Sequence, residues 1–597
     1  MVNAEEFYAL LNNSKKALSF CIDHFALTVG SLLMENILPP ANSKANMRDY
    51  VEACQSFDWR EAEKTFTWYR TGKVNMAYEA IDRHAEDPVL SGRCCLNFEG
   101  ESRNERITYA QMKDLSNRFA NVLRKLGVKK GDRVLIFLPR CPEYYIAMVG
   151  CAKVGAIFAP LFEALMQVAL KQRIMESGAK ALVTSPRLAI RVPLDDLPEL
   201  EHVILVGAGK SKLKAKEWSW EEECSLASSH CELEWVDLKD PLYLIYTFGA
   251  SGELKGVIHA HHDMVGQLMT AQWVLDLREG DVLWTTADPG WITGTVYGTF
   301  APWLCGVENF VRGGRFDLEG WCRSIESHRV SVWYSAPTVF RRFMAKGEAI
   351  LKRYDLSSLR HLLSVGEPLP SEVVYWARRV FKVPIHDTWW MTETGMILIA
   401  NYPSMPIKPG SIGKPFPGIK ATVLGPEGDD LPTLTLGELA IQKGWPAMLR
   451  QIWHDGKRYD QYFRFDSWFV TGDTAYVDDD GYFYFQGRDD DLVKVAGVVV
   501  SPLELEEVLR KHPSVADAGI IGKPDPLKGN SLKAFIALNP EIEPTEALKK
   551  EIIEYVKTNF SPRIVPDEIE FRPKIPRSQE GQVIRRVLKA WQLGLPA

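Results

Sequence analysis

Residues 132–161 read DRVLIFLPRCPEYYIAMVGCAKVGAIFAPL, and this stretch indicates the fold class of the whole chain. It begins with a short apolar run, DRVLIFLP, that is bounded by turn-forming residues. A helical pattern, PEYYIAMVGCAKVG, follows and leads into a second apolar run, AIFAPL. Short buried strands separated by helices are typical of parallel sheets that are covered on both faces.

The same alternation continues along the chain from this stretch. The apolar runs KALVTS (180–185) and HVILVG (202–207) come next, and the pattern resumes after residue 240 with LYLIYT, DVLWTT, SVWYSAP and LLSVGEP. Several of these predicted strands end directly in loops of Gly, Pro, Ser or Thr. Since ligands of open parallel sheets bind at the carboxyl ends of the strands, we expect the functional site there.

The last third of the chain has a different organisation. Residues 402–418, YPSMPIKPGSIGKPFPG, are rich in Pro and Gly, and a β-rich stretch follows them to about residue 487. Residues 491–597 contain two helical patterns, LELEEVLRKH and TEALKKEIIEYVKTNF, and between them the strands AGIIGK and KAFIAL. The predicted fold class is therefore α/β: a large N-terminal body of mostly parallel sheets covered by helices, a β-rich subdomain, and a small α+β C-terminal domain.

Composition excludes several classes of protein. Of the 597 residues, 46% are hydrophobic and 25% are charged, which is ordinary for globular proteins and excludes a disordered or fibrous chain. The formal net charge is −6, so the chain is a poor candidate for electrostatic binding of nucleic acid. The ten cysteines contain no C-x-x-C pair and favour a reducing compartment, so we predict a cytoplasmic protein.

The N-terminal residues 15–38, KKALSFCIDHFALTVGSLLMENIL, resemble a signal peptide only superficially. Asp23, His24 and Glu35 interrupt the apolar run, and its spacing predicts an amphipathic helix. We expect this helix to dock on the body, on a second copy of the chain or on a partner protein. Because no other run of about 20 apolar residues occurs, we predict no membrane span.

A glycine-containing loop within residues 246–257, YTFGASGELKGV, directly follows the predicted strand LYLIY. Gly249, Gly252 and Gly256 would let the backbone turn tightly and present N–H groups to an anion, and Lys255 would add a cation. The spacing differs from the P-loop pattern GxxxxGK[ST], so a plain hairpin stays open as the alternative to a phosphate site.

Three histidines, His259, His261 and His262, come directly after this loop. No further His, Cys or acidic side chain stands at a metal-ligand spacing from them. A solvated or packed loop is therefore the preferred interpretation over a metal site.

Six further motifs follow the loop in a fixed order. They are TADPGWITGTVYG (286–298), WYSAPTVFRRF (333–343), SVGEPLP (364–370), DTWWMTETG (387–395), FVTGDTAYVDDDGYFYFQGR (469–488) and PRSQEGQVIRRVLKAW (576–591). Together with the loop they resemble the AMP-forming acetyl-CoA synthetases of the acyl-adenylate-forming superfamily, and the first and fourth resemble the shorter bacterial branch. The resemblance covers roughly residues 48–597 and leaves residues 1–47 outside it.

This resemblance implies a reaction in two halves. A short-chain carboxylate attacks the α-phosphate of Mg-ATP, giving acyl-AMP and pyrophosphate, and the CoA thiol then attacks the acyl-adenylate. It also implies three parts: an N-terminal helical extension (1–47), a large adenylate-forming domain (48–489) and a small, mobile C-terminal lid domain (490–597) that turns about Asp490. The implied ligands are ATP or AMP, Mg²⁺ and CoA.

The nucleotide site is implied in the same way. Thr392 would contact the α-phosphate, Glu393 would hold Mg²⁺ through a hard carboxylate oxygen, and Lys255 would serve the phosphates. Read alone, Asp473 is better explained as a turn cap and Arg488 as a surface ion pair; the ordered motifs reverse that preference. The nucleotide-binding set is Thr247, Gly249, Ser251, Gly252, Gly366, Glu367, Pro368, Asp387, Thr388, Trp389, Met391, Asp473 and Arg488.

An acyl pocket and a CoA site complete the implied set. Trp390 matches the position whose indole shortens the acyl pocket, so acetate or propionate would fit and hexanoate would clash. Read alone, Trp390 is a buried core residue, which is compatible with that role. Ile292, Thr293 and Val365 match the pocket walls, and Thr293, Ala496 and Gly497 match positions near the CoA pantetheine.

The chain departs from the family pattern at two phosphate-binding segments. Where the family loop reads YTSGSTGTPKG, this chain has Phe248 and Ala250 in place of two hydroxyl donors and Glu253 as an added carboxylate. In the C-terminal domain the family pattern SGxR is AGVV, so Ala496 replaces the serine and Val499 replaces the arginine that reaches the nucleotide phosphate.

The end of the chain departs further. The family reads PKTRSGKIMRR and this chain reads PRSQEGQVIRR, so Gln582 stands where the family has the lysine that drives adenylation. Electrostatic donors of this kind contribute about 3–4 kcal/mol each to transition-state stabilisation. Lys494 is an unexpected cation in the hinge-proximal loop that could compensate for the loss.

Three functions stay open from the sequence. The first is an acetate- or propionate-type acyl-CoA ligase with impaired adenylation. The second is a binding or regulatory protein that takes AMP, acyl-AMP or CoA without adenylating. The third is an enzyme of the thioester half alone, which loss of the lysine should spare.

Overall fold

Two large sheets form the body of the protein in the computed structural model. The structure describes residues 35–40, 44–209, 213–248, 254–488, 493–496, 498–500, 502–577 and 583–594. Its strands are, in chain order, β1 (Cys94–Glu99), β2 (Asn104–Thr108), β3 (Arg133–Phe137), β4 (Ile157–Pro160), β5 (Ala181–Thr184), β6 (His202–Leu205), β7 (Glu217–Ser219), β8 (Pro241–Phe248), β9 (Leu254–Ala260), β10 (Val282–Thr285), β11 (Glu308–Arg312), β12 (Val332–Ser335), β13 (His361–Ser364), β14 (Ile385–Trp389), β15 (Ile399–Ala400), β16 (Lys414–Pro415), β17 (Ala421–Leu424), β18 (Gly437–Gln442), β19 (Gln451–Ile452), β20 (Trp468–Val477), β21 (Phe483–Arg488), β22 (Val493–Val495), β23 (Val498–Val500), β24 (Val515–Asp525), β25 (Gly529–Leu538) and β26 (Glu568–Phe571).

The two sheets of the body are mostly parallel. The nine-stranded sheet has the order β16-β15-β14-β13-β12-β10-β11-β1-β2, and only β2, β15 and β16 run antiparallel to their neighbours. The eight-stranded sheet has the order β19-β9-β8-β4-β3-β5-β6-β7, with β9 and β19 paired antiparallel at one edge. This arrangement confirms the predicted fold class.

Alternate residues of the central strands face different hydrophobic clusters. In β3, Val134 and Ile136 belong to the cluster that the two sheets share, whereas Leu135 and Phe137 belong to a cluster on the outer face of the eight-stranded sheet. Both faces of the sheet are covered, so the strand needs apolar residues at every position. This explains why the stretch at 132–139 is a continuous apolar run.

Helices cover the sheets and connect their strands. The helix Pro142–Lys153 joins β3 to β4, as the sequence predicts. The described α-helices are Tyr50–Ser56, Trp59–Glu63, Arg83–Glu86, Tyr109–Lys125, Pro142–Lys153, Gln167–Ser177, Pro186–Ala189, Trp220–Leu226, Met264–Trp273, Ile292–Thr295, Ala301–Leu304, Leu318–His328, Pro337–Lys346, Glu348–Leu351, Ser371–Phe381, Gly456–Gln461, Pro502–Arg510, Glu546–Asn559 and Arg585–Gln592. None of the helices in the described ranges combines the length and apolar character needed to cross a bilayer.

Two smaller units follow the body. The strands β17, β18, β20 and β21 form an antiparallel sheet, which is the predicted β-rich subdomain. After it come the hairpin β22–β23 and a three-stranded sheet with the order β24-β25-β26. That sheet packs with the helices 502–510 and 546–559 around a hydrophobic cluster of its own, as expected for a small α+β unit.

The prediction of a helix over residues 15–38 is wrong at its C-terminal end. Residues 35–38 are extended rather than helical, and Ile37 exchanges two backbone hydrogen bonds of 2.9 Å with Ile407. Pro39 and Pro40 follow directly, and a residue that precedes proline disfavours helical backbone angles. Residues 15–34 of the predicted helix lie outside the described residues.

Candidate functional site

A cleft of about 1050 Å³ opens at the carboxyl ends of β8, β13 and β14, where the sequence predicts a ligand site. It brings together residues from five of the motifs, although they are far apart in the chain. The predicted site residues that line it are Thr247, Ile292, Thr293, Val365, Gly366, Glu367, Pro368, Asp387, Thr388, Trp389, Trp390, Met391, Thr392, Glu393 and Asp473.

Four residues that the site prediction had not included also line this cleft. They are Trp291, Ile412 and Phe485, and Lys494 from the hairpin β22–β23 is also there. Trp291 and Phe485 stand inside motifs quoted above, so a signal for them existed. Ile412 comes from the Pro- and Gly-rich stretch, whose sequence carries no pattern that would direct it to a ligand.

Trp390 and Thr388 line the cleft where the sequence predicts the acyl pocket. We call these two residues and their hydrogen-bonded neighbours Tyr334 and Ser364 the acyl end; its hydrogen bonds join uncharged groups. The Trp390 indole N–H donates to the Tyr334 hydroxyl at 3.0 Å, and that hydroxyl lies 2.7 Å from the Thr388 hydroxyl. Thr388 in turn donates to the backbone carbonyl of Ser364 at 2.7 Å. Tyr297 packs edge-on to the indole at 5.0 Å, so the ring that would close an acyl pocket has little freedom.

Asp387 lies behind this network and is 4% exposed. It accepts hydrogen bonds from the Ser364 hydroxyl at 2.5 Å and from the Thr388 N–H at 3.1 Å. Burial raises the pKa of Asp387 to about 7, although these hydrogen bonds and the charge of Lys494 act in the opposite direction. A carboxyl group that titrates near neutral pH is therefore part of the cleft.

The nucleotide motifs are held by polar contacts with the surrounding body. The Thr338 hydroxyl donates to the Glu367 carboxylate, whose two oxygens lie 2.8 and 2.6 Å away, and Glu367 pairs with Arg341 at 2.6 Å. Asp473 accepts a hydrogen bond of 2.8 Å from the indole N–H of Trp389. Both carboxylates are buried in the cleft wall, so Asp473 is not only a turn cap.

Glu393 lines the cleft where the sequence predicts the phosphates. We call Glu393 and the neighbouring Lys255, Tyr462, His259 and Asp263 the phosphate end; its central contact is an ion pair. Lys255 forms an ion pair with Glu393 and a hydrogen bond with the Tyr462 hydroxyl, which donates to Glu393 Oε1 at 2.9 Å. Burial alone would raise the pKa of Glu393, but the adjacent Lys255 ammonium holds it below its usual value. Glu393 is therefore an anionic oxygen donor at the cleft, which is the chemistry that Mg²⁺ requires.

The short turn that carries Thr392 and Glu393 is held in place by His259. His259 Nε2 lies 2.7 Å from the Thr392 carbonyl oxygen, and His259 Nδ1 lies 2.6 Å from Asp263. Gly395 closes the turn with φ of +65°, and a Cβ there would lie 2.2 Å from the Ala447 carbonyl oxygen.

The loop that the sequence predicted for the three histidines is wrong: they lie at the end of a strand and in the short 3₁₀-helix His261–Asp263. His259 is in β9, and His261 is buried, where desolvation lowers its pKa to about 3. His262 pairs with Glu63 at 2.7 Å. Within the described ranges, no group of three or more His, Cys, Asp or Glu side chains is arranged to hold a metal ion.

The C-terminal hairpin β22–β23 lies against the cleft. Lys494 reaches the cleft from β22, and Ala496 follows with φ of +51° and donates its N–H to the Lys528 carbonyl at 2.8 Å. A second cavity of about 550 Å³ lies beside it, between Val498 and Val500 of β23, the segment at Phe560–Ile564 and the body residues Phe162 and Trp291. The hairpin is thus shared by both openings.

Several predicted residues lie outside what the structure describes. Gly249, Ser251, Gly252, Asp490, Gly497 and Gln582 lie outside the described residues, as do Ala250 and Glu253. The strands on each side of the loop pair antiparallel, with Thr247 opposite Lys255. Arg488 pairs with Asp473 across β20 and β21, which places its backbone beside the cleft.

Comparison with known proteins gives two family matches. The model of the AMP-binding enzyme family matches residues 78–450, and the model of the AMP-binding enzyme C-terminal domain matches residues 504–582. Acetyl-coenzyme A synthetase of Bacillus subtilis (strain 168) is 51% identical over 561 residues, 94% of this chain and 98% of that protein. Acetyl-coenzyme A synthetase of Methanothrix thermoacetophila is 38% identical over 558 residues, 89% of this chain and 84% of that protein.

A solved structure agrees with these matches. The crystal structure of Brucella canis acyl-CoA synthetase superposes with a TM-score of 0.69 and is 29% identical in sequence. The superposition covers 91% of this chain and 99% of that one, so both the body and the small C-terminal unit have counterparts in it.

Proposed function

This chain belongs to the AMP-binding enzyme family, as an acetyl-CoA-synthetase-like acyl-CoA ligase, and we propose that it joins acetate or propionate to CoA with impaired adenylation. In the first half, the carboxylate oxygen attacks the α-phosphorus of ATP and pyrophosphate leaves. In the second, the CoA sulfur attacks the acyl carbon, AMP leaves, and acyl-CoA is released. The observation that carries the proposal is the single cleft in which the motif residues and Trp390 meet.

We propose that Trp390 sets the length of the acid. Its indole is 7% exposed and is fixed by Tyr334 and Tyr297, so a longer chain could enter only by displacing a held ring. Differences of one methylene in such a pocket are worth about 1–3 kcal/mol. Ile292, Thr293 and Val365 would form the remaining walls.

The proposed nucleotide roles follow the motifs. Gly366, Glu367 and Pro368 would flank the adenine, Asp473 and Arg488 would serve the ribose, and Thr392 would contact the α-phosphate. Glu393 would hold Mg²⁺ together with phosphate oxygens, and that ion would neutralise the negative charge of the leaving pyrophosphate. The lowered pKa of Glu393 supports this role, because the carboxylate is ionised at neutral pH.

We propose that adenylation is slow because Gln582 lacks the ammonium charge of the family lysine. Lys494 is the cation that could replace it, since it reaches the cleft and its charge acts on Asp387. Ala496 and Gly497 in the same hairpin would adjoin the pantetheine of CoA. We further propose that the C-terminal domain, residues 490–597, turns about Asp490 between the two halves of the reaction.

A second candidate is an enzyme of the thioester half alone. The position of the hairpin favours it, because β22–β23 adjoins the cleft while the segment that flanks residue 582 is bonded to its own domain. Arg577 pairs with Asp517 at 2.5 Å on β24, and Val583 belongs to a hydrophobic cluster of that domain. Arranged in this way, the domain presents its hairpin to the cleft.

The decisive experiment is acetate- and propionate-dependent ATP–pyrophosphate exchange by wild type, Gln582→Lys and Lys494→Met. Slow wild-type exchange that rises about a hundredfold or more in Gln582→Lys would support the ligase with impaired adenylation. Loss of the residual exchange in Lys494→Met would assign the compensating charge to Lys494.

A second assay separates the alternatives. Wild type without exchange that still converts synthetic acetyl-AMP and CoA to acetyl-CoA would be an enzyme of the thioester half alone. Wild type that performs neither reaction but binds AMP would be a binding or regulatory protein, and the ligase proposal would be wrong.

The N-terminal extension has a separate test. Residues 35–40 and 44–47 contact the body: Tyr375 donates to the Glu35 carbonyl at 2.8 Å, and Asn46 Nδ2 donates to the Gln272 carbonyl at 2.8 Å. We propose that the residues before 35 bind a second copy of the chain or a partner. Deleting residues 1–34 should leave the unfolding midpoint unchanged and lower the sedimentation coefficient of any complex; an unchanged coefficient would refute the idea.

A further inference from the structure

Three side chains close a ring at the phosphate end of the cleft. The Lys255 ammonium donates to the Tyr462 hydroxyl and pairs with Glu393, and the same hydroxyl donates to Glu393 Oε1 at 2.9 Å. Lys255 and Glu393 are 3% and 2% exposed, so their charges compensate each other with little help from water. We call these three residues the charge cluster.

The cluster contains both groups that the proposed function assigns to the triphosphate and its metal. Neither is available without a change of partner, since Lys255 and Glu393 already neutralise each other. If a triphosphate alone recruited Lys255, the buried Glu393 carboxylate would lose its counter-ion and would face further negative charge. A divalent cation at Glu393 removes this obstacle, because it replaces the ammonium charge.

Tyr462 is fixed in a position to stay in contact during such a change. Its ring stacks on Phe469 with centroids 5.0 Å apart and planes inclined by 12°, and the Lys255 ammonium lies 5.0 Å from the ring centroid. The hydroxyl accepts from lysine and donates to glutamate, so it can keep either bond when the other is broken. Sequence reasoning gave no indication of Tyr462, which lies 207 positions from Lys255.

We propose that the charge cluster makes binding of a triphosphate depend on a divalent cation by an exchange of partners. Lys255 leaves Glu393 for the phosphates as the cation takes the carboxylate, and Tyr462 is the positioning residue that holds both groups. AMP lacks the β- and γ-phosphates, so its binding does not require the exchange. The inference rests on the proposed function, because it takes the β- and γ-phosphates to lie at this end of the cleft.

The test is calorimetric binding of AMP, ATP with Mg²⁺ and ATP with EDTA to wild type, Glu393→Gln and Tyr462→Phe. For wild type, Mg²⁺ should strengthen ATP binding about tenfold or more. Glu393→Gln keeps the shape of the side chain but removes its charge, which releases Lys255. This variant should bind metal-free ATP about tenfold more tightly than wild type and should gain little from Mg²⁺.

Tyr462→Phe keeps the ring that stacks on Phe469 and loses only the hydroxyl. It should weaken Mg²⁺-ATP binding about tenfold and leave AMP binding unchanged. Tyr476→Phe is the matched control, because Tyr476 stacks on Tyr484 in the β-rich subdomain at 4.8 Å and is not part of the cluster. It should bind all three ligands as wild type does.

The outcomes separate this inference from the function on which it rests. If AMP binds to every protein but Glu393→Gln shows no gain for metal-free ATP, the exchange of partners is refuted and the ligase proposal stands. Equal loss of AMP and Mg²⁺-ATP in Tyr462→Phe would also refute it, since the hydroxyl would then support the whole cleft. If AMP and ATP bind to none of the proteins, both proposals are wrong.

Discussion

The two ends of the cleft are held in different ways. At the acyl end, Trp390, Tyr334, Thr388 and Ser364 are linked by hydrogen bonds between uncharged groups. The phosphate end is held mainly by the ion pair of Lys255 with Glu393, beside which His259 is hydrogen-bonded to Asp263. Hydrogen bonds of fixed geometry keep a cavity at one size, whereas charges can exchange partners when a charged ligand arrives.

This difference matches the ligands that each end would receive. A short acid differs from its competitors only in length, so the acyl end must resist deformation. A triphosphate with its metal brings several charges, so the phosphate end needs counter-charges that are already in place. We therefore expect mutations at the phosphate end to act through uncompensated charge, and mutations at the acyl end to act through lost hydrogen bonds and selectivity.

The largest effect is expected for Lys255→Met at the phosphate end. The substitution leaves the buried Glu393 carboxylate without its cation, and breaking a buried pair in this way costs about 3–5 kcal/mol of unfolding free energy. The double variant Lys255→Met/Glu393→Gln should recover most of that loss, because no buried charge remains in the pair. Urea unfolding at pH 7.5 measures both, and a double variant as unstable as the single one would refute the charge-based account.

An intermediate effect on the unfolding free energy is expected for Asp387, a titratable group hydrogen-bonded to Ser364 and Thr388 of the acyl end. Its pKa is about 7 when folded and near 3.8 when unfolded, so the folded state holds the proton more tightly. Its contribution to stability is therefore fully present below about pH 4 and is lost as the pH rises from there to about 7. Between pH 5 and pH 8 this amounts to about 2–3 kcal/mol.

Asp387→Asn should remove that part of the pH dependence. The stability of the variant relative to wild type should rise by about 2–3 kcal/mol from pH 5 to pH 8, as measured by urea unfolding at each pH. Burial also raises the pKa of Glu506 in the C-terminal domain to about 7. Both wild type and the variant should therefore lose some stability with rising pH through Glu506, and the difference between them reports Asp387. A difference that does not change with pH would mean that Asp387 stays ionised in the cleft.

Much of the fold could be predicted because the buried strands carry their own signal. Strands covered on both faces require apolar residues throughout, and the runs at 133–137 and 202–205 are such strands. The end of the N-terminal helix was predicted wrongly because its apolar spacing was given more weight than Pro39 and Pro40. The backbone pairing of Ile37 with Ile407 could not be foreseen, because it joins segments 370 residues apart.

For the site as well, residues within one motif could be predicted from the sequence, whereas contacts between distant segments could not. Residues that share a motif, such as Thr392 and Glu393, could be grouped before the structure, and the cleft brings them together. Their roles stay predictions. Tyr462 and the pairing of Arg341 with Glu367 were not predicted, because contacts between distant segments depend on the three-dimensional arrangement and leave no periodic pattern in the sequence.

The smallest effect is expected for Tyr334→Phe at the acyl end. Thr388 donates to the Ser364 carbonyl, so the Tyr334 hydroxyl must donate to Thr388 and accept from the Trp390 indole. Removing it leaves the indole N–H without that acceptor and costs about 1–3 kcal/mol of unfolding free energy. With the ring less firmly held, conversion of butyryl-AMP and CoA should gain relative to acetyl-AMP and CoA.

Tyr297→Phe provides the comparison that makes this result specific. The Tyr297 hydroxyl also accepts from a buried donor, the Ile397 N–H at 2.9 Å, so its loss should cost a similar amount of stability. The Tyr297 ring contacts the indole edge-on, but its hydroxyl does not bond to the indole N–H. Tyr297→Phe should therefore keep the acetyl preference, and a shift as large as that of Tyr334→Phe would mean that general loosening of the core sets the length of the acid.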